Sequence, residues 1–305
     1  MANWTTKDIP PQAGKLAVIT GAGGLGYETA LALAEAGARV IVAGRNPQKG
    51  AEAVRALKAA APGADVAFEA LDLADLAAIR AFAERMIACG EPIDLLINNA
   101  GVMMPPKRRT TVDGFELQFG TNHLGHFALT GRLLPLLRAA TAARVVGVSS
   151  GAHHSGRIRF DDLQWTEGYR PWAAYAQSKL ANLMFARELQ RRSTAEGWGV
   201  ASIAAHPGYA RTELIANGPG LGGPMAIVSG VVGLVASQSA AEGALPTLLA
   251  ATAPEARPGG YYGPKDMMEL KGPPVPARVA KPAQDEAAAR RLWSVSEDLT
   301  GVRFG

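Results

Sequence analysis

The sequence predicts a doubly wound α/β fold, a mostly parallel sheet with helices on both faces. Three observations carry that expectation. The apolar, β-rich run 15–20 passes at once into Gly21-Ala22-Gly23-Gly24-Leu25-Gly26 and then into the alanine-rich segment 27–36, which reads as strand, glycine turn and helix. Strand and helix then alternate four times within the first hundred residues, the pattern that right-handed crossovers turn into a parallel sheet. Finally, Asn98-Asn99-Ala100-Gly101, Ser149-Ser150 and Pro207-Gly208 each follow a strand, at the edge where open α/β sheets bind ligands.

Taken in order, the strands are expected at 15–20, 39–43, 65–71, 93–97, 144–148 and 199–205, with a short strand or turn at 259–262. Helices are expected at 27–36, 47–60, 76–88, 121–138, 175–192, 242–251 and 283–299, the last amphipathic with Leu292, Trp293 and Val295 inward. Residues 264–282 are Pro-rich and read as an excursion. Nothing looks like an interdomain linker. The expectation is one domain over 1–305, divided into a core at 14–212, a substrate-lid region at 213–241 and C-terminal elements at 242–305. Residues 214–241 carry no charge and many glycines and prolines, so they read as a lid over an apolar substrate rather than a membrane span, with core or dimer-interface packing and a membrane-surface contact as the alternatives.

Composition excludes several classes. Hydrophobic residues make up 48% and charged residues 19% of 305, ordinary for a globular chain that buries a sizeable core. The net charge is only +4 and no dense Lys/Arg tract occurs, which argues against nucleic acid as a partner. A single cysteine, Cys89, forms no internal disulfide, and residues 1–12 lack the apolar stretch of a signal peptide. A cytoplasmic setting is therefore expected.

The chemistry centres on Tyr175 and Lys179. Four residues apart on a helix they share a face, and a nearby cation favours the phenolate and lowers the pKa of tyrosine, making an acid/base. The glycine turn after the first strand lets a pyrophosphate approach the backbone at a helix N-terminus. Past the second strand stands Arg45, with no acidic residue near the strand's end. An acid there would bind ribose hydroxyls, whereas arginine accommodates a 2′-phosphate, so NADP(H) is favoured over NAD(H). His123 and His126 lie on one helix face, but no acidic or cysteine partner is suggested, so no metal site is expected and both are read as packing or polar-edge histidines. The polar loop 151–171, with His153 and His154, reads as an excursion rather than chemistry. No G-x-S-x-G elbow supports a Ser/His/Asp hydrolase.

In register, Thr20-Gly21, Asp72, Asn98-Asn99-Ala100-Gly101, Asn122, Ser150, Tyr175, Lys179 and Pro207-Gly208 with Thr212 resemble the short-chain dehydrogenase/reductase family over about residues 15–212. The phrases 121–127, 149–154 and 178–182 resemble its retinol-dehydrogenase-like branch. The resemblance implies a Rossmann-like, seven-stranded sheet in the order 3-2-1-4-5-6-7. It also implies an oxidoreductase that interconverts a hydrophobic alcohol and its ketone or aldehyde, with Tyr175 exchanging the proton. Ser150 would hydrogen-bond the substrate oxygen, and Lys179 would lower the tyrosine pKa and hold the nicotinamide ribose. Asn122 would fix a water linking that lysine to solvent. Cofactor contacts are implied for Gly21, Gly23, Gly24, Leu25, Gly26, Arg45, Asp72, Leu73, Asn99, Ala100, Gly101, Pro207, Gly208 and Thr212, besides Tyr175 and Lys179. Family members often pair through the helices at 121–138 and 171–192, so a homodimer or homotetramer is expected. One departure is the glycine loop, a residue shorter than the family's usual pattern. The alternative is a catalytically idle dinucleotide-binding sensor or scaffold, which would have no need of a tuned phenol.

Overall fold

A computed structural model describes residues 3–210 and 237–304. Strands β1 (Leu16–Thr20), β2 (Arg39–Gly44), β3 (Val66–Ala70), β4 (Leu95–Asn98), β5 (Arg144–Val148), β6 (Ala201–Ala205), β7 (Tyr261–Asp266) and β8 (Lys271–Pro276) form one sheet in the order β3-β2-β1-β4-β5-β6-β7-β8. The first seven run parallel, and β8 is antiparallel to β7. The sheet thus has eight strands where seven were expected. The extra strand, KGPPVP, carries prolines at 273, 274 and 276, which remove ladder donors and mask it as a strand. They are tolerated because β8 is an edge with a single neighbour.

The helices are α1 (Leu25–Glu35), α2 (Pro47–Ala60), α3 (Leu76–Cys89), α4 (Gly125–Ala139), α5 (Pro171–Ala195), α6 (Ala240–Thr252) and α7 (Glu286–Thr300). Local chemistry sets their ends. Asn46 accepts from the Lys49 amide ahead of Pro47, Asp75 from Ala77 and Ala78, and Ser239 and Glu242 close a reciprocal capping box. α4 is entered through a π turn, Gly120–Leu124, where a continuous helix was expected.

Every residue of β1 is buried, because its alternating side chains feed two cores. Leu16 and Val18 join Phe82, Phe127 and Trp293 on one face, and Ala17 and Ile19 join Leu33, Leu57 and Leu248 on the other. α7 closes the first core, with the Trp293 ring 5.1 Å from Phe127 and 5.7 Å from Phe185. After β3 the chain crosses over to place β4 on the far side of β1. This switch point opens the crevice in which the site lies. Among the described residues, no helix is long and apolar enough to cross a membrane. Thr212 and most of the uncharged stretch, residues 213–236, lie outside the described residues, so the expected lid is not part of the structural account.

Candidate active site

The glycine turn closes on its own backbone. Gly21 takes φ +93° and Gly24, at the start of α1, takes φ +51°, conformations that disfavour any side chain. A Cβ placed on Gly26 would run into the Gly21 carbonyl and the Asn99 amide, so Gly26 is where α1 approaches the turn after β4. That second turn is tied to β1. The Thr20 hydroxyl oxygen accepts from the Asn99 and Ala100 amides, both at 2.9 Å, and Asn99 Nδ2 donates to the Thr20 carbonyl at 2.8 Å. The one-residue shortening therefore leaves a tightly seated turn. Gly26→Ala is expected to weaken NADPH binding by roughly tenfold or more, since backbone must shift to admit the methyl group. Fluorescence titration checks this, and a dissociation constant within about threefold of wild type would show that the turn yields.

These turns floor a cleft of about 520 Å³ at the carboxyl edge of β1, β2 and β4. Gly21, Gly23, Gly24, Arg45, Asp72, Leu73, Ala100 and Gly101 line it. Leu25, Gly26 and Asn99 do not; they shape the turns beneath. Lys49 lines the cleft beside Arg45 and was not anticipated, and Glu28 and Glu52 also reach it. The signal for Lys49 was present in the sequence, because Asn46 as cap and Pro47 at the first helical position put residue 49 in the first turn of α2, beside the end of β2. Pro207 and Gly208 lie apart from this cleft. Their turn is clamped by Gln238 and by the connection between β7 and β8, with Gln238 Nε2 donating to the Pro207 carbonyl at 2.7 Å and the Tyr209 amide to the Leu270 carbonyl at 2.8 Å.

The proposed acid/base group comes together across three elements. Tyr175 and Lys179 occupy one face of α5 and are only 5% and 3% exposed. Ser150, leaving β5, is hydrogen-bonded to the Tyr175 side chain and accepts from the Ala152 amide at 3.2 Å. Lys179 Nζ lies 5.8 Å from the Tyr175 ring centre and donates to the Val148 carbonyl at 3.1 Å. Asn122, in the π turn, accepts from the Val102 amide at 2.8 Å and donates to Val102 O at 3.0 Å and Ser178 Oγ at 2.9 Å. Gly101 sits against both Asn122 and Lys179, where a Cβ would come within 3.1 Å of Asn122 Oδ1 and 3.6 Å of Lys179 Nζ.

Electrostatics departs from the expectation that lysine depresses the tyrosine pKa. Burial pushes Tyr175 up to about 12, and the hydrogen bond with Ser150 only partly opposes this. Burial also pulls Lys179 down to about 8. The resting site at neutral pH is thus a neutral phenol near a predominantly protonated ammonium, poised to give a proton rather than to take one.

The loop after β5 contributes more than a polar excursion. Gly151–Ser155 forms a 3-10 turn that buries His153, whose Nδ1 donates to the Ser150 carbonyl at 2.7 Å. Burial holds His153 down at about 4, so the ring stays neutral and fixes the serine backbone. On the open side, Met103 and Met104 pack against the Ala152–Tyr175 cluster, and Trp172 is 52% exposed with its ring 6.1 Å from that of Tyr175. His123 and His126 are buried within the protein, with Ser296 and Thr20 as respective partners at 2.9 Å. No group of three or more potential metal ligands occurs among the described residues.

Comparison with known proteins agrees with this architecture. Retinol dehydrogenase 12 of Mus musculus is 43% identical over 303 residues, covering 98% of this chain and 90% of that protein. Polyprenol dehydrogenase of Mus musculus is 42% identical over 302 residues, covering 97% and 87%. Among solved structures, an uncharacterized protein from Mycobacterium Paratuberculosis superposes with a TM-score of 0.83 at 42% identity and covers 100% of both chains. The Pseudomonas aeruginosa RhlG/NADP active-site complex gives 0.65 at 26% identity, covering 82% of this chain and 94% of that one. Residues 15–218, the span that holds the glycine turn, the cleft and the Tyr175 group, match the short chain dehydrogenase family. By its sheet order, its relatives and that match, the chain belongs to the short chain dehydrogenase family, in its retinol-dehydrogenase-like branch, and is an oxidoreductase.

Proposed function

We propose that this oxidoreductase interconverts a hydrophobic alcohol and its ketone or aldehyde with NADP(H), using Tyr175 as the acid/base. The observation that carries the reading is the buried Tyr175 phenol, hydrogen-bonded to Ser150 and set near the Lys179 ammonium beside the cleft. The curated relatives named for retinol and polyprenol, both apolar alcohols, support the substrate class. So do the apolar side chains of Met103, Met104 and Trp172 around Tyr175.

The residues fit a dinucleotide: a glycine turn with no room for a Cβ at Gly26, the N-terminus of α1 and a cleft of about 520 Å³ stand together at the switch point. The nicotinamide supplies the hydride donor or acceptor. In reduction Tyr175 gives its phenolic proton to the carbonyl oxygen, and in oxidation it takes the proton back. Ser150 hydrogen-bonds that oxygen. The Lys179 ammonium offsets the negative charge that develops on the phenol oxygen, and Asn122 keeps the neighbouring turn in place. Asp72 and Leu73 would meet the adenine end, and Pro207, Gly208 and Thr212 the nicotinamide end.

The choice of NADP(H) rests on Arg45 and Lys49, two cations in one cleft wall, with no acid closing β2. The RhlG/NADP complex is in keeping with it. Loss of a charge-assisted bond costs about 1.5–3 kcal/mol, roughly ten- to a hundredfold in affinity. Arg45→Ala is therefore expected to weaken NADPH far more than NADH. Equal weakening of the two, measured by titration, would place the phosphate elsewhere. The function itself is tested by NADPH consumption over a panel of hydrophobic ketones and aldehydes. Tight NADPH binding with no turnover on any of them would favour the idle sensor or scaffold.

A further inference from the structure

The π turn that carries Asn122 is held by a side chain that the reaction scheme does not use. His126 stands in the first turn of α4 and is 2% exposed. Its Nδ1 lies 2.9 Å from the Asn122 carbonyl oxygen. A carbonyl only accepts, so Nδ1 carries the hydrogen, and in the neutral ring Nε2 must then accept. Nε2 lies 2.9 Å from the Thr20 hydroxyl, which turns its proton toward it. The same Thr20 oxygen receives the amides of Asn99 and Ala100. Four hydrogen bonds thus run without a gap from the turn after β4, through Thr20 and the imidazole, to the backbone of Asn122. Beneath them, Asn98 Nδ2 donates to Thr130 Oγ at 2.9 Å and Thr130 Oγ to the His126 carbonyl at 2.7 Å, bracing α4 on β4.

We propose that His126 is a positioning residue that holds the catalytic turn at Asn122 by its bond to the Asn122 carbonyl, with Thr20 fixing the tautomer and orientation of the ring. Its reach extends to the acid/base. Asn122 Nδ2 donates to Ser178 Oγ, and Ser178 Oγ donates to the Tyr175 carbonyl at 2.8 Å, so a displaced Asn122 loosens the helical turn that aims the phenol. A π turn is a rare register that persists where surrounding contacts hold it, and the imidazole supplies such a contact from one turn away. The inference rests on the reading of Tyr175 and Lys179 as the acid/base.

The test compares two variants of matched volume, His126→Val and His126→Thr, with wild type. Both lose the bond to Thr20. That hydroxyl has a second acceptor in the Ile97 carbonyl at 3.3 Å, so its hold on the Asn99 and Ala100 amides survives and NADPH affinity is expected to stay within about threefold. Only threonine can bond the carbonyl four residues back, as Thr29 and Thr130 do in this protein at 2.7 Å. The valine variant is expected to lose about tenfold in kcat, the loss of one buried hydrogen bond, and the threonine variant to recover at least half of that on a logarithmic scale. Equal kcat in the two variants, a valine kcat within about twofold of wild type, or a loss of NADPH affinity that tracks the loss of kcat would each overturn the proposal. Should the valine variant fail to fold, nitrogen NMR of the wild-type imidazole decides: a neutral ring protonated at Nδ1 supports the bond to the Asn122 carbonyl, and protonation at Nε2 refutes it. Tyr175→Phe, assayed alongside, tests the acid/base reading separately, because the histidine pair is compared with the phenol intact.

Discussion

Tyr175→Phe is expected to abolish turnover while leaving the fold and NADPH binding nearly unchanged. The substitution removes one oxygen. That oxygen is the only group at the centre of the site that the proposed scheme uses to pass a proton, and general acid catalysis of this kind contributes about 10²–10⁴-fold. Stability should barely move, because the oxygen is buried and its one side-chain bond among the described residues is to Ser150. Losing that bond costs about 1 kcal/mol, while burying a phenyl ring instead of a phenol returns a similar amount. Ser150 keeps its place through the Ala152 amide and through His153 on its carbonyl. The measurements are kcat with NADPH and a ketone substrate, the NADPH dissociation constant and the thermal midpoint. A kcat within a few-fold of wild type would remove Tyr175 from the mechanism, whatever the other two show.

How far the sequence reveals this site depends on whether chemistry sits in local motifs or in long-range contacts. The strands β1, β2, β4, β5 and β6 show as largely apolar runs because a strand covered on both faces is apolar, whereas β3, at the sheet edge, is only partly buried and carries Glu69. Asn99, Ser150 and Tyr175 are legible because each belongs to a short phrase at a strand end or along one helix face. β8 was hidden, since three prolines in six residues contradict a strand everywhere except at an edge. His126 and His153 read as packing and as loop for a related reason. What gives each a role is a partner far away in sequence or a carbonyl three or four residues back, and residue type alone does not show which ring nitrogen meets which oxygen. The direction of the tyrosine pKa is not legible in the sequence, because spacing shows the nearby charge and not the burial. The helix spacing places Lys179 near Tyr175 correctly, but desolvation of the phenol outweighs that proximity.

The same desolvation gives the second large effect. Lys179→Met should inactivate the enzyme and at the same time stabilise the fold. Burial depresses the Lys179 pKa from the ordinary 10.5 to about 8, which corresponds to roughly 3 kcal/mol of unfavourable burial in the charged form. Methionine keeps much of the stem volume and carries no charge. The Val148 carbonyl that Lys179 serves retains a second donor, Asn182 Nδ2 at 3.2 Å, so no buried acceptor is orphaned. A gain of about 1–3 kcal/mol at pH 7 is expected, several degrees in the thermal midpoint for a chain of this size. Its pH dependence has a fixed direction. Between pH 8 and 10.5 the unfolded chain binds the lysine proton and the folded one does not, so wild-type stability from this group rises with pH across that window. The advantage of methionine is therefore full below pH 8 and disappears toward pH 10.5. Catalysis should move the other way, with kcat lower by about a hundredfold or more once no ammonium faces the developing phenolate. NADPH affinity should also fall if the lysine holds the nicotinamide ribose. Denaturation at pH 7 and at pH 10 together with steady-state kinetics checks all three. A methionine variant that is less stable at pH 7 and still active would show that Lys179 is a structural cation rather than one kept at the expense of stability for the reaction.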